Sequence, residues 1–207
     1  MDYAWGTHIP VLRAILAYFS SELDVVVESG IGMHSTPLLN DVEKYIGIEN
    51  DAEWYSKMIN KIEQGKLIHF PVKFRAGDSV NRVDKKELKR IENWYKELKI
   101  PEGKLKLLFV DGFSASRVPC IQALKDKFDL IVYHDAQLSS DHWYGYSKVK
   151  WLAGKKAFLT SPKAWTGLYI KEGLEINWDV FSEILHYYIF VYKIENPDCT
   201  FMQLIFD

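Results

Sequence analysis

The chain has 207 residues, 48% of them hydrophobic, which is enough to bury a full core in one domain over residues 1–207. Its 26 Lys and Arg residues nearly balance its 28 Asp and Glu residues, and the net charge of −2 excludes an overall field that would gather nucleic acid or anionic lipid. The two cysteines, Cys120 and Cys199, argue against a disulfide scaffold or a structural zinc site.

The same features predict where the protein resides. So few cysteines favour a reducing compartment. The first residues, MDYAWGTH, lack the basic start and the small-residue cleavage site of a signal peptide. The apolar run YYIFVY is far shorter than the roughly 20 residues that cross a bilayer. We therefore expect a soluble cytoplasmic protein with no membrane partner.

The first two thirds of the chain alternate between helical and strand patterns. A helical apolar period covers residues 7–19, the β-branched run LDVVVE predicts a buried strand, and Pro37 suits the first turn of a short helix. Further strands are predicted at KYIGIE, HFPVKFRAGDS, KLLFVDG and DLIVYHD, and the helices between them at AEWYSKMINKIE, VDKKELKRIENWYKELK and RVPCIQALKDKF. This alternation predicts an α/β fold with a doubly wound, mostly parallel sheet.

The pattern changes after Asp135. KKAFLT and GLYIKE predict an antiparallel hairpin joined across SPKAWT, whereas WDVFSEILHYYIFVYKI and CTFMQLIFD fit either a helix or a strand. The segment from Asp141 to Trp165 is rich in aromatic residues, among them Trp143, Tyr144, Tyr146, Trp151 and Trp165. We expect these side chains to belong to the core rather than to a lid that stacks on a flat substrate.

Acidic residues stand at the predicted carboxyl ends of the strands, where open parallel sheets bind ligands. They are Glu28, Glu49, Asp78, Asp111 and Asp135. In the first turn, Gly30 and Gly32 permit unusual backbone angles and leave bare main chain for a ligand. Glu49 ends the second strand, where a carboxylate can accept hydrogen bonds from both ribose hydroxyls.

A nucleotide-dependent oxidoreductase would share the acidic residue after the second strand. Such enzymes also carry a third glycine three residues after the second, and Ser35 occupies that position here. Glu28 would lie unfavourably beside a pyrophosphate but suits a ligand that carries an ammonium and a sulfonium. The oxidoreductase is therefore the less favoured alternative.

Four motifs extend this pattern along the chain. They are ESGIGMHST at 28–36, IEND at 48–51, AGDS at 76–79 and FVDG at 109–112. Together they resemble the successive motifs of class I S-adenosylmethionine-dependent methyltransferases, in particular small bacterial, archaeal and viral members. The resemblance covers residues 25–137 and implies S-adenosylmethionine as the cofactor.

Carried over by position, the resemblance implies a role for each motif residue. Glu28, Gly30 and Gly32 would hold the methionine portion of the cofactor and Glu49 its ribose. Asn50, Asp78 and Ser79 would meet the adenine. Asp111 would close the pocket near the methionine amine.

Catalytic groups are expected beyond strands four and five, where Asp111, His134 and Asp135 stand. His134 is a candidate base at neutral pH. The resemblance to catechol-type O-methyltransferases also raises Mg²⁺, held by the two aspartates and a third oxygen donor, but the lysine those enzymes carry is replaced by Ser114. Mg²⁺ is therefore not favoured, and no residue is assigned as a metal ligand. Four further histidines, His8, His69, His142 and His186, are interpreted as structural or exposed.

The methyl acceptor is not predicted and is either a small molecule or a macromolecule. Four lysines near the aromatic segment, Lys148, Lys150, Lys155 and Lys156, could follow a nucleic-acid strand, but a solvated surface is favoured. The oligomeric state is left open. The alternative from another class is a catalytically degenerate module that keeps the fold and acts through a partner.

Overall fold

The computed structural model describes residues 6–62, 65–75, 77–153, 156–160, 164–197 and 203–206. The strands are β1 Leu23–Ser29, β2 Lys44–Glu49, β3 Lys66–His69, β4 Leu105–Val110, β5 Leu130–His134, β6 Lys156–Thr160, β7 Thr166–Ile170 and β8 Gln203–Phe206. The α-helices are α1 Ile9–Tyr18, α2 Thr36–Leu39, α3 Ala52–Met58, α4 Lys85–Glu97, α5 Ser114–Leu124, α6 Asp141–Tyr144 and α7 Trp178–Glu195. Short 3₁₀ helices cover Ile59–Lys61, Lys125–Lys127, Leu138–Ser140, Tyr146–Lys148 and Lys150–Ala153.

All the described strands form one sheet in the order β3-β2-β1-β4-β5-β7-β6-β8. The strands from β3 to β5 are parallel, while β7 runs antiparallel to β5 and β6, and β8 runs antiparallel to β6. This topology confirms the predicted α/β fold with a mostly parallel sheet and an antiparallel hairpin near the carboxyl terminus. The middle of the hairpin connection, residues 161–163, lies outside the described residues.

The sheet is covered by helices on both faces, so successive residues of its central strands belong to different cores. On β1, Val26 packs into the core beneath α1 and α7, and Val27 packs into the core beneath α4 and α5. Both side chains are fully buried. A continuous run of β-branched residues is typical of a strand buried on both faces, which explains why LDVVVE lacks a polar alternation.

The third strand lies earlier in the chain than predicted. HFPVKFRAGDS was expected to be a strand, but β3 is Lys66–His69 and its ladder ends when the Phe70 N–H donates to the Glu49 carbonyl over 2.8 Å. Pro71 has no N–H to continue the ladder. Asp78 consequently lies in an irregular segment, well beyond the strand end, and Ala76 lies outside the described residues.

The two ambiguous carboxyl-terminal segments differ in structure. The first forms the long helix α7, whose buried side chains recur at helical spacing: Phe181, Leu185, Ile189 and Tyr192. Asn177 caps this helix by accepting a hydrogen bond from the Val180 N–H over 3.3 Å. The second segment contributes β8, and Cys199 lies outside the described residues. No helix within the described part of the chain has the length and apolar character needed to cross a membrane.

Candidate functional site

A cavity of about 790 Å³ opens at the carboxyl ends of the parallel strands. Its walls come from the loops after β1, β4 and β5 and from the end of β2. The predicted residues that line it are Gly30, Gly32, Glu49, Asp111, His134 and Asp135. The volume lies within the range of about 300–1,000 Å³ that small-molecule sites occupy. The sheet therefore brings six of the predicted site residues to one cavity.

The two glycines of the first turn, Gly30 and Gly32, have different structural roles. Gly30 has a φ of +90°, and a Cβ there would lie 2.2 Å from the backbone nitrogen of Gly112 in the neighbouring loop. Only glycine tolerates that contact and that backbone angle. A Cβ on Gly32 would instead meet only the Ser35 hydroxyl, at 2.9 Å. Gly30 is required by the fold, whereas Gly32 leaves bare main chain on the cavity wall.

Glu28 lies behind this turn rather than on the cavity wall. Its carboxylate is fully buried and accepts hydrogen bonds from the hydroxyls of Ser35, Thr36 and Tyr45. Burial raises the pKa of Glu28 to about 7, although the hydroxyl donors oppose the shift. The Thr36 hydroxyl in turn accepts a hydrogen bond from the Gly32 N–H over 2.9 Å. The geometry thus places Glu28 as a support for the turn, not in contact with a ligand in the cavity.

Glu49 is the last residue of β2 and faces the cavity. One carboxylate oxygen accepts hydrogen bonds from the N–H groups of Asn50 and Asp51, over 2.6 and 2.7 Å. Burial raises the pKa of Glu49 to about 7, and these N–H donors act in the opposite direction. Nearby, the Trp54 indole N–H donates to the Ile31 carbonyl over 2.7 Å, which ties α3 to the glycine turn.

The three predicted adenine contacts do not line the cavity. The Asn50 amide donates to the Phe70 carbonyl over 2.9 Å, so this side chain closes the loop after β3. Asp78 accepts a hydrogen bond from the Arg75 N–H over 2.6 Å, and Ser79 donates to the His142 carbonyl. These bonds hold loops around the cavity. The cavity wall includes Trp54, Gly77 and Phe113 but none of these three predicted residues.

One buried guanidinium bridges the two aspartates that follow β4 and β5. Arg117 donates to Asp111 over 2.9 Å and to Asp135 over 3.0 Å, and it stacks 4.3 Å above the Tyr144 ring. The Tyr144 hydroxyl donates to the same Asp135 oxygen over 2.8 Å. A Mg²⁺ ion needs oxygen ligands around it, and Arg117 stands where an ion shared by the two aspartates would bind. The residues present therefore do not fit the catechol-type magnesium site.

His134 has a partner at each ring nitrogen. Its Nδ1 lies 3.1 Å from Asp111 Oδ1, and its Nε2 lies 2.9 Å from the Thr7 hydroxyl. Burial lowers the pKa of His134, but the charge of Asp111, the hydrogen bond to Asp111 and the charge of Asp135 together outweigh burial, and the net shift is upward. Burial likewise acts to raise the pKa of Asp111, but His134 and Arg117 lower it to about 2. Asp111 is thus ionised at neutral pH. Because both ring nitrogens of His134 have hydrogen-bond partners, one of these hydrogen bonds must break before His134 can accept a proton from a ligand.

His8 belongs to the same site, contrary to its interpretation as a structural or exposed residue. Its side chain is 3% exposed, lines the cavity, and lies with Nδ1 3.9 Å from Asp111 Oδ2. Burial lowers the pKa of His8 to about 3, so the ring is neutral. The position of His8 follows from the chain topology and not from a sequence motif. Since α1 is joined to the start of β1 by a short turn, the beginning of α1 returns to the carboxyl end of the sheet.

The aromatic segment is divided between the core and the cavity. Tyr146 is buried in the core beneath α5, as predicted. Trp143 and Tyr144 line the cavity, but Tyr144 also packs against the core, so the core interpretation is wrong for Trp143. Lys148 pairs with the Asn81 side chain over 2.7 Å at the surface, and Lys155 lies outside the described residues.

Comparisons with known proteins identify the fold. No protein-family model matches the chain, and no curated protein matches it. A solved methyltransferase-like protein from Silicibacter pomeroyi is similar at a TM-score of 0.53 and 13% identity, over 85% of this chain and 93% of that one. The chain has a methyltransferase-like fold. The resemblance drawn from the four sequence motifs is thereby confirmed at the level of the fold.

Two further solved structures with this methyltransferase-like fold are more distant. A dimethyladenosine transferase from Plasmodium falciparum has a TM-score of 0.46 and 14% identity, over 85% of this chain and 67% of that one. The magnesium protoporphyrin IX methyltransferase of Synechocystis, solved with bound S-adenosylmethionine, has a TM-score of 0.44 and 10% identity, over 78% and 77%. At these TM-scores the two similarities carry no argument about this chain.

Proposed function

We propose that the protein binds S-adenosylmethionine in this cavity and transfers its methyl group to an acceptor. One observation carries the proposal: bare main chain at Gly32, a carboxylate after β2 and an ionised carboxylate after β4 converge on one cavity in a methyltransferase-like fold. The crevice beyond the carboxyl ends of the strands is the place where open α/β sheets bind ligands.

Each wall of the cavity suits one part of this cofactor. The main chain at Gly32 accommodates the methionine portion, because a larger residue would occupy that space. Glu49 accepts hydrogen bonds from the ribose hydroxyls, which replace the solvent that its buried carboxylate lacks. Asp111 and Asp135 carry two negative charges against one on Arg117, so the inner end of the cavity favours a sulfonium and an ammonium.

Methyl transfer is an in-line displacement, so the protein's main task is to align the acceptor with the methyl group and to exclude water. Trp143 lines the cavity and supplies a flat apolar wall for the acceptor, whereas the ring of Tyr144, which also lines the cavity, is covered by Arg117. The His134–Asp111 pair lies within the same space and takes the acceptor's proton where the acceptor has one to lose. The acceptor is thus expected to enter between the loop after β5 and the glycine turn.

Calorimetry with S-adenosylhomocysteine, the product form of the cofactor, tests the binding half of the proposal. We expect one site per chain and at least about a tenfold loss of affinity in Gly32→Val, because the added side chain would fill the bare main-chain surface. Ala52→Val, at an exposed position of α3, is the matched control and should bind normally. Absence of binding by the unmodified protein at high ligand concentration would refute the proposal.

Release of labelled methyl groups to a broad panel of acceptors tests the transfer half. Asp111→Ala and His134→Ala should both lower the turnover found with the unmodified protein. A protein that binds S-adenosylhomocysteine but transfers no methyl group to any acceptor would instead favour the degenerate binding module.

A further inference from the structure

We propose that His8, Asp111 and His134 form a binding site for a divalent transition-metal ion of the Zn²⁺ type. These three residues offer ligand atoms that all lie within 4.8 Å of one another, and all three residues line the cavity. The site goes beyond the proposed methyl transfer and does not depend on it, because metal binding is measured without cofactor or acceptor.

His8 is the observation that points to a ligand. Its ring is 3% exposed, and neither ring nitrogen has a hydrogen-bond partner among the residues that the structure describes. Burying a polar group without a partner costs free energy, and native proteins rarely leave such groups unsatisfied. The ring is held in place, since it packs 4.9 Å from both the Phe109 and the His134 rings. A neutral imidazole, in which one ring nitrogen has a free lone pair, is the commonest metal ligand in proteins.

His134 is oriented as a ligand would be. The Thr7 hydroxyl engages Nε2 over 2.9 Å and leaves Nδ1 directed at Asp111. Metal-bound histidines almost always have their second nitrogen fixed in this way. The 3.1 Å between His134 Nδ1 and Asp111 Oδ1 is a usual separation for two ligands that each bind one ion at about 2.0–2.2 Å.

Asp111 completes the set without losing its bond to Arg117. Arg117 and His134 both engage Oδ1, while Oδ2 faces His8 Nδ1 across 3.9 Å. Ligands of one tetrahedral Zn²⁺ ion lie about 3.4 Å apart, so ligand atoms that lie up to 4.8 Å apart here must close by up to about 1.4 Å on binding. The second aspartate, Asp135, balances Arg117, and the negative charge of Asp111 that remains would meet either the metal ion or the cationic portion of the cofactor.

The ligand set selects the class of metal. Two imidazoles and one carboxylate suit Zn²⁺ and its first-row neighbours, whereas Mg²⁺ and Ca²⁺ prefer oxygen ligands. Three protein ligands also leave a coordination position open, as in catalytic rather than structural zinc sites. Because all three residues line the cavity, that open position faces the space proposed for the acceptor.

Calorimetric titration of chelator-treated protein with Zn²⁺ tests the site. We expect one equivalent to bind per chain, and His8→Gln and His134→Gln each to weaken binding by about tenfold or more. Thr7→Val, which removes only the hydroxyl that orients His134, should weaken binding by about tenfold. His34→Gln, in the same cavity but outside the cluster, and the exposed His186→Gln serve as controls and should bind normally.

The melting temperature of each variant, measured with and without Zn²⁺, separates loss of the site from loss of the fold. Zn²⁺ should raise the melting temperature of the unmodified protein and of both controls, and should leave that of folded His8→Gln unchanged. Absence of Zn²⁺ binding by the unmodified protein would overturn the site. So would unchanged binding by His8→Gln, or loss of binding in His34→Gln alone. None of these outcomes bears on S-adenosylhomocysteine binding.

Discussion

Arg117 shows at the residue scale how this cavity is held together. Its buried guanidinium pairs with both Asp111 and Asp135, and it also donates to the carbonyls of Gly112 and His134. Removing one partner of a buried ion pair leaves an uncompensated charge. We expect Arg117→Met to lower the free energy of unfolding, measured by urea titration, by about 3–5 kcal/mol.

Arg13 offers the matched control for that substitution. It pairs with Glu195 over 3.0 Å at the surface, where the two side chains are 28% and 48% exposed. Such pairs contribute about 0–1 kcal/mol, so Arg13→Met should change stability little. If the two methionine variants lost similar amounts of stability, the buried charge balance would not be the reason for the position of Arg117.

Glu49 predicts how cofactor affinity depends on pH. Burial raises the pKa of Glu49 to about 7 in the free protein, whereas ribose hydroxyls would stabilise its ionised form. As the pH falls below about 7, the carboxylate must first lose a proton to bind. Affinity for S-adenosylhomocysteine should therefore fall by up to about tenfold per pH unit below that value and stay level above it.

Calorimetry between about pH 5.5 and about pH 8.5, on both sides of the Glu49 pKa of about 7, measures how the affinity depends on pH. Glu49→Gln should bind S-adenosylhomocysteine weakly at every pH, with no dependence of affinity on pH. Glu53→Gln, on the exposed side of α3, should keep the pH dependence of the unmodified protein. A slope that persisted in Glu49→Gln would assign the titration to another group, such as Glu28.

Single residues differ in how far the sequence could predict them. Glu49 and Asp111 were predictable because a residue that ends a strand has only one edge of the sheet to occupy. The sequence predicts that Glu28 lies near the end of β1, but it does not predict the direction of the side chain. The predicted contact between Glu28 and the methionine portion of the cofactor depended on that direction. Its burial depends on the hydroxyls of Ser35, Thr36 and Tyr45, which come from two places in the chain. His8 lies far from every motif in sequence, and only the folded helix brings it to Asp111.

At the scale of elements, helix α7 packs against the protein core through one face, and its other face is exposed. Leu185 is 1% exposed and packs into the core shared with α1, whereas Phe190 is 63% exposed on the same helix. We expect Leu185→Ala to cost about 2–5 kcal/mol of unfolding free energy, from lost burial and the cavity left behind. Phe190→Ala should stay within about 0.5 kcal/mol. Comparable losses in urea titration would show that the outer face of α7 is covered in solution.

Elements were predictable where one periodicity dominated. The strand LDVVVE and the helix α4 have uninterrupted patterns, and both were found. The third strand was misplaced because the apolar residues of HFPVKF continue past the ladder, and Pro71 ends the hydrogen bonding without ending the apolar run. Segment 178–195 was ambiguous because aromatic and β-branched residues fill both faces of α7. Only packing against α1 decides between helix and strand there.

At the scale of the whole molecule, the alternation of strands and helices fixed the parallel half of the sheet, since right-handed crossovers leave few strand orders. The same rule explains why one cavity collects residues from β1, β2, β4 and β5. The antiparallel edge is predicted as a hairpin, but the segment of β8 fits either a helix or a strand, because its pairing with β6 joins segments that no local pattern connects. The cavity's chemistry therefore follows from topology more than from any single motif.

A crystal structure with S-adenosylhomocysteine bound tests the central claim most directly. The account predicts the ribose hydroxyls within hydrogen-bonding distance of Glu49, the methionine portion along the Gly32 main chain, and the sulfur at the end of the cavity where Asp111 lies. A ligand bound on another surface, or in this cavity with its ribose away from Glu49, would contradict it.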